Sequence, residues 1–312
     1  MDTLFETYSF VAALAAAGLL AALAAGELRC RRRSRDTMLR AKYLHIVMLA
    51  LTGEEEAPRF PLLERAGGRR RLAETVAGLV AVTYGLDPEP LRHIVAHYGL
   101  DEWLLRRIRR ARGYRRAHFL ALLARLPIEC GAAARVAVYT RNRNRYVRFY
   151  ALMVQLSAEP SVSLRRMAEY GYPFSACEVS EIMAILRRGI LPIAYEPLVE
   201  SPNRNLRMVG LGIVRQFGIE EAERHLLRII GGDQAPELGR EALYTLCSMR
   251  RPLSRREVAG RIASMNRAER KALLRFMAQE GYSPAVLRRL FDDHERPYYE
   301  SLIQSCKRRL VC

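Results

Sequence analysis

Apolar residues recur every three or four positions throughout the chain beyond Gly68, as at Leu206, Val209, Ile213 and Phe217. This spacing places them on one face of an α-helix, and no segment shows the alternation that is typical of a strand-rich domain. Glycine or proline interrupts the pattern at short intervals, so we expect many short helices with connections of a few residues. The pattern therefore predicts an all-α fold.

The amino-terminal segment has a different pattern, because no residue from Phe10 to Gly26 is charged. As a helix this segment is roughly 26 Å long, which barely spans the hydrocarbon core of a bilayer. Asp2 and Glu6 precede it. Five arginines follow it: Arg29, Arg31, Arg32, Arg33 and Arg35. Because positive charge stays on the cytoplasmic side, we predict a single-pass anchor in the bacterial inner membrane with a cytoplasmic carboxyl-terminal domain.

Two other interpretations of this segment stay open. The small residues of LAAG near its end would suit a cleaved signal peptide, although the basic residues of a secretory signal come first rather than last. Nine of its seventeen residues are alanine, which also suits a helix buried in a soluble protein. If the anchor is correct, the five arginines contact anionic lipid headgroups, where each gains about 1 kcal/mol.

A basic residue followed by small or apolar residues recurs along the helical part of the chain. It recurs at Arg116, Arg148, Arg207, Arg240 and Lys271, which lie 32, 59, 33 and 31 residues apart. The longest interval corresponds to two repeats, or to one repeat with an insertion. Each repeat then supplies two helices, as where EEAERHLLRII follows RMVGLGIVRQF. This organisation predicts an α-solenoid of paired helices.

At these positions the chain resembles HEAT-repeat proteins, most clearly from Arg204 to His294 and more weakly back to Arg115. LDEWLLRRIRRARGYRRAHFLALLARLP, VRFYALMVQL and the amino-terminal segment together resemble the membrane-anchored HEAT-repeat proteins of Bacteroidetes. The resemblance implies a scaffold, for example for a membrane glycosyltransferase system. Between Ala158 and Ser201 several glycines and prolines interrupt the pattern, so a regular solenoid is not expected there.

These observations predict three regions. Residues 1–28 form the transmembrane anchor. Residues 29–68 form a basic juxtamembrane helix followed by an acidic linker with prolines and glycines. Residues 69–312 form the HEAT-like α-solenoid domain.

The composition adds a strong positive charge and six cysteines. Lysine and arginine number 51 against 33 aspartate and glutamate, a net charge of +18, which predicts anionic partners. The predominance of arginine over lysine also fits a GC-rich genome. The cysteines form no CxxC pair, so neither a zinc site nor a disulfide framework is expected, and small buried thiols are the better interpretation.

The densest basic stretch lies between residues 106 and 116, beside Trp103 and including Tyr114. Its arginines are Arg106, Arg107, Arg109, Arg110, Arg112, Arg115 and Arg116. Arginine beside aromatic side chains suits phosphate backbones and stacked bases, or an acidic protein surface. The same spacing is also typical of an ordinary solvated helix.

Evidence for catalysis is absent from the sequence. His93 and His97 would share a helix face, but no third ligand lies at a motif spacing, so we predict no metal site. Glu178 and Glu181 would support acid–base chemistry only inside a cleft, and solvated helix ends explain them better. There is no phosphate-binding glycine loop and no GxSxG motif, so we expect neither an enzyme nor a cofactor.

The turn at Asn142–Arg145 has two interpretations, a helix cap and a contact for an acidic partner loop. Asparagine accepts hydrogen bonds from backbone N–H groups at helix starts, which favours the cap.

Together these features predict a membrane-anchored cytoplasmic scaffold whose concave solenoid face binds an acidic or membrane protein. The alternative is a nucleic-acid-binding or nucleic-acid-processing protein that uses the arginine-rich stretch. A membrane anchor argues against the alternative, because a tethered protein searches a nucleoid poorly.

Overall fold

The structure is a computed structural model of the whole chain. It describes residues 26–27, 30–31, 34–52, 60–64, 67–82, 88–186, 194–232, 235–291 and 293–309. These residues form helices and turns and contain no strand, which confirms the all-α prediction. Within this part of the chain, no helix has both the length and the hydrophobicity that crossing a bilayer requires. The predicted anchor, apart from Gly26 and Glu27, lies outside the described residues.

Two compact units make up the chain, residues 1–135 and residues 136–312. The described helices that begin in the first unit are α1 (residues 34–51), α2 (Gly68–Val82), α3 (Glu89–His97), α4 (Leu100–Arg110), α5 (Gly113–Arg125) and α6 (Cys130–Val136). Those of the second unit are α7 (Arg145–Ala158), α8 (Ser163–Glu169), α9 (Ala176–Leu186), α10 (Glu196–Val199), α11 (Arg204–Phe217), α12 (Glu223–Gly231), α13 (Pro236–Ser248), α14 (Arg256–Ser264), α15 (Arg267–Gln279), α16 (Pro284–Leu290) and α17 (Arg296–Arg309). Short 3₁₀ turns lie at Ala137–Arg141, Pro160–Val162, Glu220–Ala222 and Asp293–Glu295.

In the first unit, α1 is packed against its neighbours by one face. Tyr43 and Val47 are fully buried, and the Tyr43 hydroxyl donates a hydrogen bond of 2.6 Å to the Pro61 carbonyl. Arg71 on α2 donates to the Asp36 carboxylate at 2.7 Å. The basic helix predicted to follow the anchor is therefore an integral part of the first unit.

In the second unit, the helices form two rows. One row consists of α7, α9, α11, α13 and α15, each of which packs against the next. In the other row α12 packs against α14, and the two rows meet where α10 contacts α11 and α12 contacts α13. From α11 to α15, consecutive helices therefore alternate between the rows, as expected for stacked helix pairs.

Asparagine caps start three helices of the first row. The side chain of Asn144 accepts hydrogen bonds from the backbone N–H groups of Tyr146 and Val147, which confirms the cap interpretation of that turn. Asn203 caps α11 in the same way, and Asn266 forms a capping box with Glu269 at the start of α15. Each cap satisfies N–H groups that a helix start leaves without partners.

The segment that the sequence marks as irregular contains short helices. Among the described residues between Ala158 and Ser201, α8 has 7 residues and α10 has 4, while α9 has 11. Glycines on α11 allow close packing here. A Cβ atom on Gly210 would lie 2.9 Å from the Leu198 Cβ atom, and one on Gly212 would lie 2.7 Å from Val179 Cγ1.

Candidate functional site

A groove of about 770 Å³ crosses the second unit along the row of α7, α9, α11, α13 and α15. Every helix of this row, or the turn that precedes it, contributes lining residues. The cavity is large enough for several side chains of a bound segment, and its length follows consecutive helices rather than a single helix pair. It therefore suits an extended ligand.

The floor of the groove is apolar and aromatic. Phe174 and Met208 are buried, and Tyr244 and Phe276 contact each other edge to face with ring centroids 4.9 Å apart. Such a floor provides contact area for apolar side chains of a ligand.

A buried amide holds the loop that carries Phe174. Asn205 is 6% exposed, and its side-chain N–H groups donate to the carbonyls of Tyr170 at 3.0 Å and Tyr172 at 2.9 Å. Its side-chain oxygen accepts from the Phe174 N–H at 2.9 Å. Because these backbone groups are otherwise without a helical partner, the amide fixes the path of residues 170–174.

Four arginines line the groove, and each pairs with a glutamate of the next helix in the row. We call Arg145, Arg204, Arg215 and Arg240 the arginine ladder. Their ion pairs are Arg145–Glu178 at 2.6 Å, Arg204–Glu237 at 3.4 Å, Arg215–Glu241 at 3.3 Å and Arg240–Glu269 at 2.9 Å. The pairs tie neighbouring helices together across the groove.

In three of the four pairs the arginine is more exposed than the glutamate. The Arg145 side chain is 53% exposed and the Glu178 side chain 12%, and the pairs of Arg215 and Arg240 show the same order. A guanidinium group has five N–H donors, and these pairs use only some of them. The groove therefore presents N–H donors to solvent, and three of the paired glutamates, Glu237, Glu241 and Glu269, line it as well.

Glu178 pairs with Arg145, a lining residue of the groove, and its environment lowers the pKa of its carboxyl group. Burial raises the pKa of this carboxyl, but hydrogen bonds from Arg145 and from the Ser175 backbone and hydroxyl outweigh burial, so that the pKa is lowered. The Ser175 N–H and hydroxyl both lie 2.8 Å from the carboxylate. Glu178 is thus an ionised carboxylate that starts α9, rather than a general acid.

The predicted arginine-rich stretch lies elsewhere, on α4 and α5 of the first unit. Leu104, Leu105 and Ile108 are buried, so α4 turns its arginines to the surface. We call the exposed arginines the basic patch: Arg106, Arg107, Arg109, Arg110, Arg112 and Arg115. Arg116 differs, because it is half-buried and donates to the Ile108 carbonyl at 3.0 Å at the carboxyl end of α4.

The basic patch has few acidic neighbours. Among the described residues, none of its six arginines forms an ion pair, and the carboxylate of Glu102 on the same helix is bound by Arg135. Tyr114 is 75% exposed, and the Arg107 guanidinium lies 5.6 Å from the centre of the Trp103 ring. The patch is therefore positive and partly aromatic.

Of the arginines predicted to contact lipid, Arg31 and Arg35 lie within the described residues and are exposed. Arg31 forms an ion pair of 2.6 Å with Glu27. Arg29, Arg32 and Arg33 lie outside the described residues.

The two histidines of the predicted shared helix face both lie on α3. His93 and His97 are both exposed on α3, with ring centroids 6.1 Å apart. Across the described ranges, no group of three or more His, Cys, Asp or Glu side chains is placed to hold a metal ion.

The expectation that the cysteines are buried thiols is wrong for three of the four whose side chains are described. Cys30, Cys130 and Cys177 are exposed, since each lies on an outward helix face, and only Cys247 is buried. Burial raises the pKa of the Cys247 thiol to about 12, so it is protonated at neutral pH. None of these positions contributes a nucleophile to the groove.

Sequence reasoning missed the arginine ladder, although a signal for it exists. Arg145 and Glu178 lie 33 residues apart, as do Arg204 and Glu237, and this interval equals one of the observed repeat spacings. An arginine and a glutamate at the same place in consecutive repeats are expected to meet across neighbouring helices. Their position in a groove becomes visible only once the helices are packed.

No protein-family profile, curated protein or solved structure shows significant similarity to this chain.

Proposed function

We propose that the protein is a membrane-anchored cytoplasmic scaffold and that its groove binds an extended, acidic and partly apolar segment of a protein partner. The observation that carries this proposal is the arginine ladder, whose guanidinium groups on α7, α11 and α13 line the same groove as the aromatic side chains of Phe174, Tyr244 and Phe276. The resemblance to HEAT-repeat proteins supports it, because stacked helix pairs offer long grooves for such ligands.

The chemistry of the groove favours carboxylates in the ligand. A ligand carboxylate can accept from a guanidinium group in a bidentate geometry, even where that group already pairs with a glutamate of the protein. Apolar side chains of the same segment would cover Tyr244 and Phe276. A basic segment would meet the exposed arginines first and be repelled.

The predicted anchor would raise the local concentration of the groove near membrane proteins. A scaffold held at the inner membrane meets membrane proteins at a high effective concentration, so that modest affinity suffices. The partner class implied by the resemblance is a membrane glycosyltransferase system. We therefore expect the docking segment to lie on the cytoplasmic side of such a protein.

Binding of a defined peptide tests the proposal. A fluorescein-labelled peptide of alternating Glu-Glu-Phe units is titrated with the detergent-solubilised full chain, and its anisotropy is measured. We expect Arg204→Glu combined with Arg240→Glu to weaken binding at least tenfold, which corresponds to about 1.4 kcal/mol. A Lys-Lys-Phe peptide should not bind.

Arg288 and Arg289 provide the matched control, because both are exposed on α16 and lie outside the groove. Reversing both to glutamate changes the net charge by the same amount as the groove variant. If the control variant loses as much affinity as the groove variant, the peptide is responding to net charge and the groove is not its site.

The basic patch supports a second candidate function, the binding of nucleic acid. The observation that favours it is the set of six exposed arginines without ion pairs among the described residues, next to the exposed ring of Tyr114. Such a surface suits a phosphate backbone with stacked bases.

Salt dependence separates this candidate from the first. The full chain should bind single-stranded DNA with an affinity that falls steeply as salt rises. Replacing Arg106, Arg107, Arg109 and Arg110 by glutamate should abolish the binding and leave the acidic peptide bound. DNA binding that survives this variant would remove the patch as its site.

A further inference from the structure

Helix α1 presents an apolar face to solvent opposite the face that packs into the first unit. Met38, Leu44 and Met48 are 65%, 43% and 45% exposed, although each is large and hydrophobic. On the opposite side, Tyr43 and Val47 are fully buried. The helix is thus apolar on two sides, and only one of them is covered by the fold.

The exposed apolar residues lie on one face of α1. Met38, Ala41 and Met48 are spaced by three and seven residues, so they share this face, with the polar His45 between Ala41 and Met48, and all four are exposed. Leu44 lies beside this stripe. Large hydrophobic side chains that remain exposed together on one helix face make that face a candidate interaction surface.

Basic residues border the stripe on one side. Arg35 and Lys42 lie seven residues apart on α1, which places them along one line at the edge of the apolar face. Arg35 and Lys42 are exposed and form no ion pair with any described residue. By contrast, Arg40, away from this edge, pairs with Asp36 at 3.3 Å and Glu74 at 3.4 Å.

We propose that this face of α1 lies flat on the anionic lipid surface of the membrane, with Met38, Leu44 and Met48 immersed at the boundary between the headgroups and the acyl chains. Long basic side chains at the edge of an immersed apolar stripe extend their charged ends to lipid phosphates while their methylene groups remain in the apolar region. The inference rests on the membrane anchor of the proposed function and extends it from a single span to an oriented surface.

Charge complementarity favours lipid over a protein as the occupant. The uncompensated cations are confined to one edge, and they continue the basic run that begins at Arg29 in the sequence. Each basic residue held near anionic lipid strengthens binding about fivefold. A second copy of the chain would bring the same cations to the contact and would be repelled.

Tryptophan quenching tests the inference in the full chain. Met48→Trp is made in a Trp103→Phe background, and the protein is reconstituted with vesicles whose acyl chains carry bromine. We expect quenching on vesicles of phosphatidylcholine with phosphatidylglycerol. Changing Arg35 and Lys42 to glutamine should lower the ratio of docked to undocked helix about thirtyfold.

Phe217→Trp in the same background is the control, because Phe217 is 64% exposed in the second unit, outside α1. It should not be quenched. Met38→Trp provides a second probe of the same stripe, so that a folding defect in one variant does not decide the result.

Flotation of the same samples separates this inference from the proposed function. If the chain floats with vesicles but neither stripe probe is quenched, the lipid face is wrong and the anchor stands. If the chain does not float, both the lipid-facing surface of α1 and the membrane anchor are wrong. A concentration-dependent blue shift without quenching would show that a second copy covers the stripe, which also overturns the lipid assignment.

Discussion

A single polar side chain, that of Asn205, fixes the loop at residues 170–174 beside the groove. Asn205 makes three hydrogen bonds to the backbone of residues 170–174, and all three are buried or half-buried. Nothing in the sequence around Asn205 distinguishes it from Asn203, which caps the same helix. The cap could be predicted, because it depends on local geometry; the loop contact could not, because its partners lie more than 30 residues away.

Asn205→Ala is therefore expected to destabilise the second unit and to disorder the loop that carries Phe174. The loss should be on the order of 3 kcal/mol, because buried backbone groups are left without partners. Urea unfolding measures the loss, and anisotropy should show weaker binding of the acidic peptide.

Asn203→Ala is the comparison, since it removes a cap and should cost about 1 kcal/mol. Equal losses from the two variants would contradict the role assigned to Asn205.

Glycines are required both where helices end and where two helices pack closely. The sequence predicts short helices from glycine and proline, and the breaks at Gly218 and Gly281 do coincide with left-handed backbone, at φ 62° and 81°. Glycines inside helices have another role that the pattern does not reveal. Gly210 lies within α11, where its missing side chain leaves room for α10.

Gly210→Ala should destabilise the second unit by about 1–3 kcal/mol, because the added Cβ atom would clash with Leu198 and Val199. Gly260 lies within α14 with nothing within 4 Å of the equivalent Cβ position. Gly260→Ala should stabilise by about 0.5–1 kcal/mol through helix propensity. Thermal unfolding of both variants measures the difference, and a stabilising Gly210→Ala would show that α10 does not pack as described.

The Arg145–Glu178 pair joins α7 to α9 and makes their packing sensitive to pH. Since the pKa of Glu178 is lowered in the folded chain, its contribution to stability is present above the ordinary carboxyl pKa and is lost as pH falls through the lowered value. We expect Glu178→Gln to remove this part of the acid sensitivity, seen in urea midpoints measured from about pH 6 downward.

Arg145→Gln should remove only part of this acid sensitivity, because the hydrogen bonds from Ser175 to Glu178 remain. A Glu178→Gln variant whose stability falls as steeply in acid as the wild type would contradict this reasoning.

At the scale of the whole molecule, charge and helical pattern predict the class of structure but not the site. The net charge of +18 and the densest run of arginines predict a binding surface at residues 106–116, which lie on α4 and α5 and not in the groove. The arginine ladder is spread over 96 positions from Arg145 to Arg240 and is assembled only by packing. A periodic pattern shows which residues share a helix face, but not which faces of successive helices form a groove.

Photo-crosslinking in membranes tests the central proposal most directly. Benzoylphenylalanine replaces Tyr244 on the groove floor of the full chain, or Phe217 outside the groove as a control, and crosslinked peptides are identified by mass spectrometry. We expect the Tyr244 position to capture an acidic segment of a membrane protein, and the capture to disappear in the Arg204→Glu, Arg240→Glu variant. Capture of the same segment from the Phe217 position, or none from the Tyr244 position, would contradict the groove as the docking site.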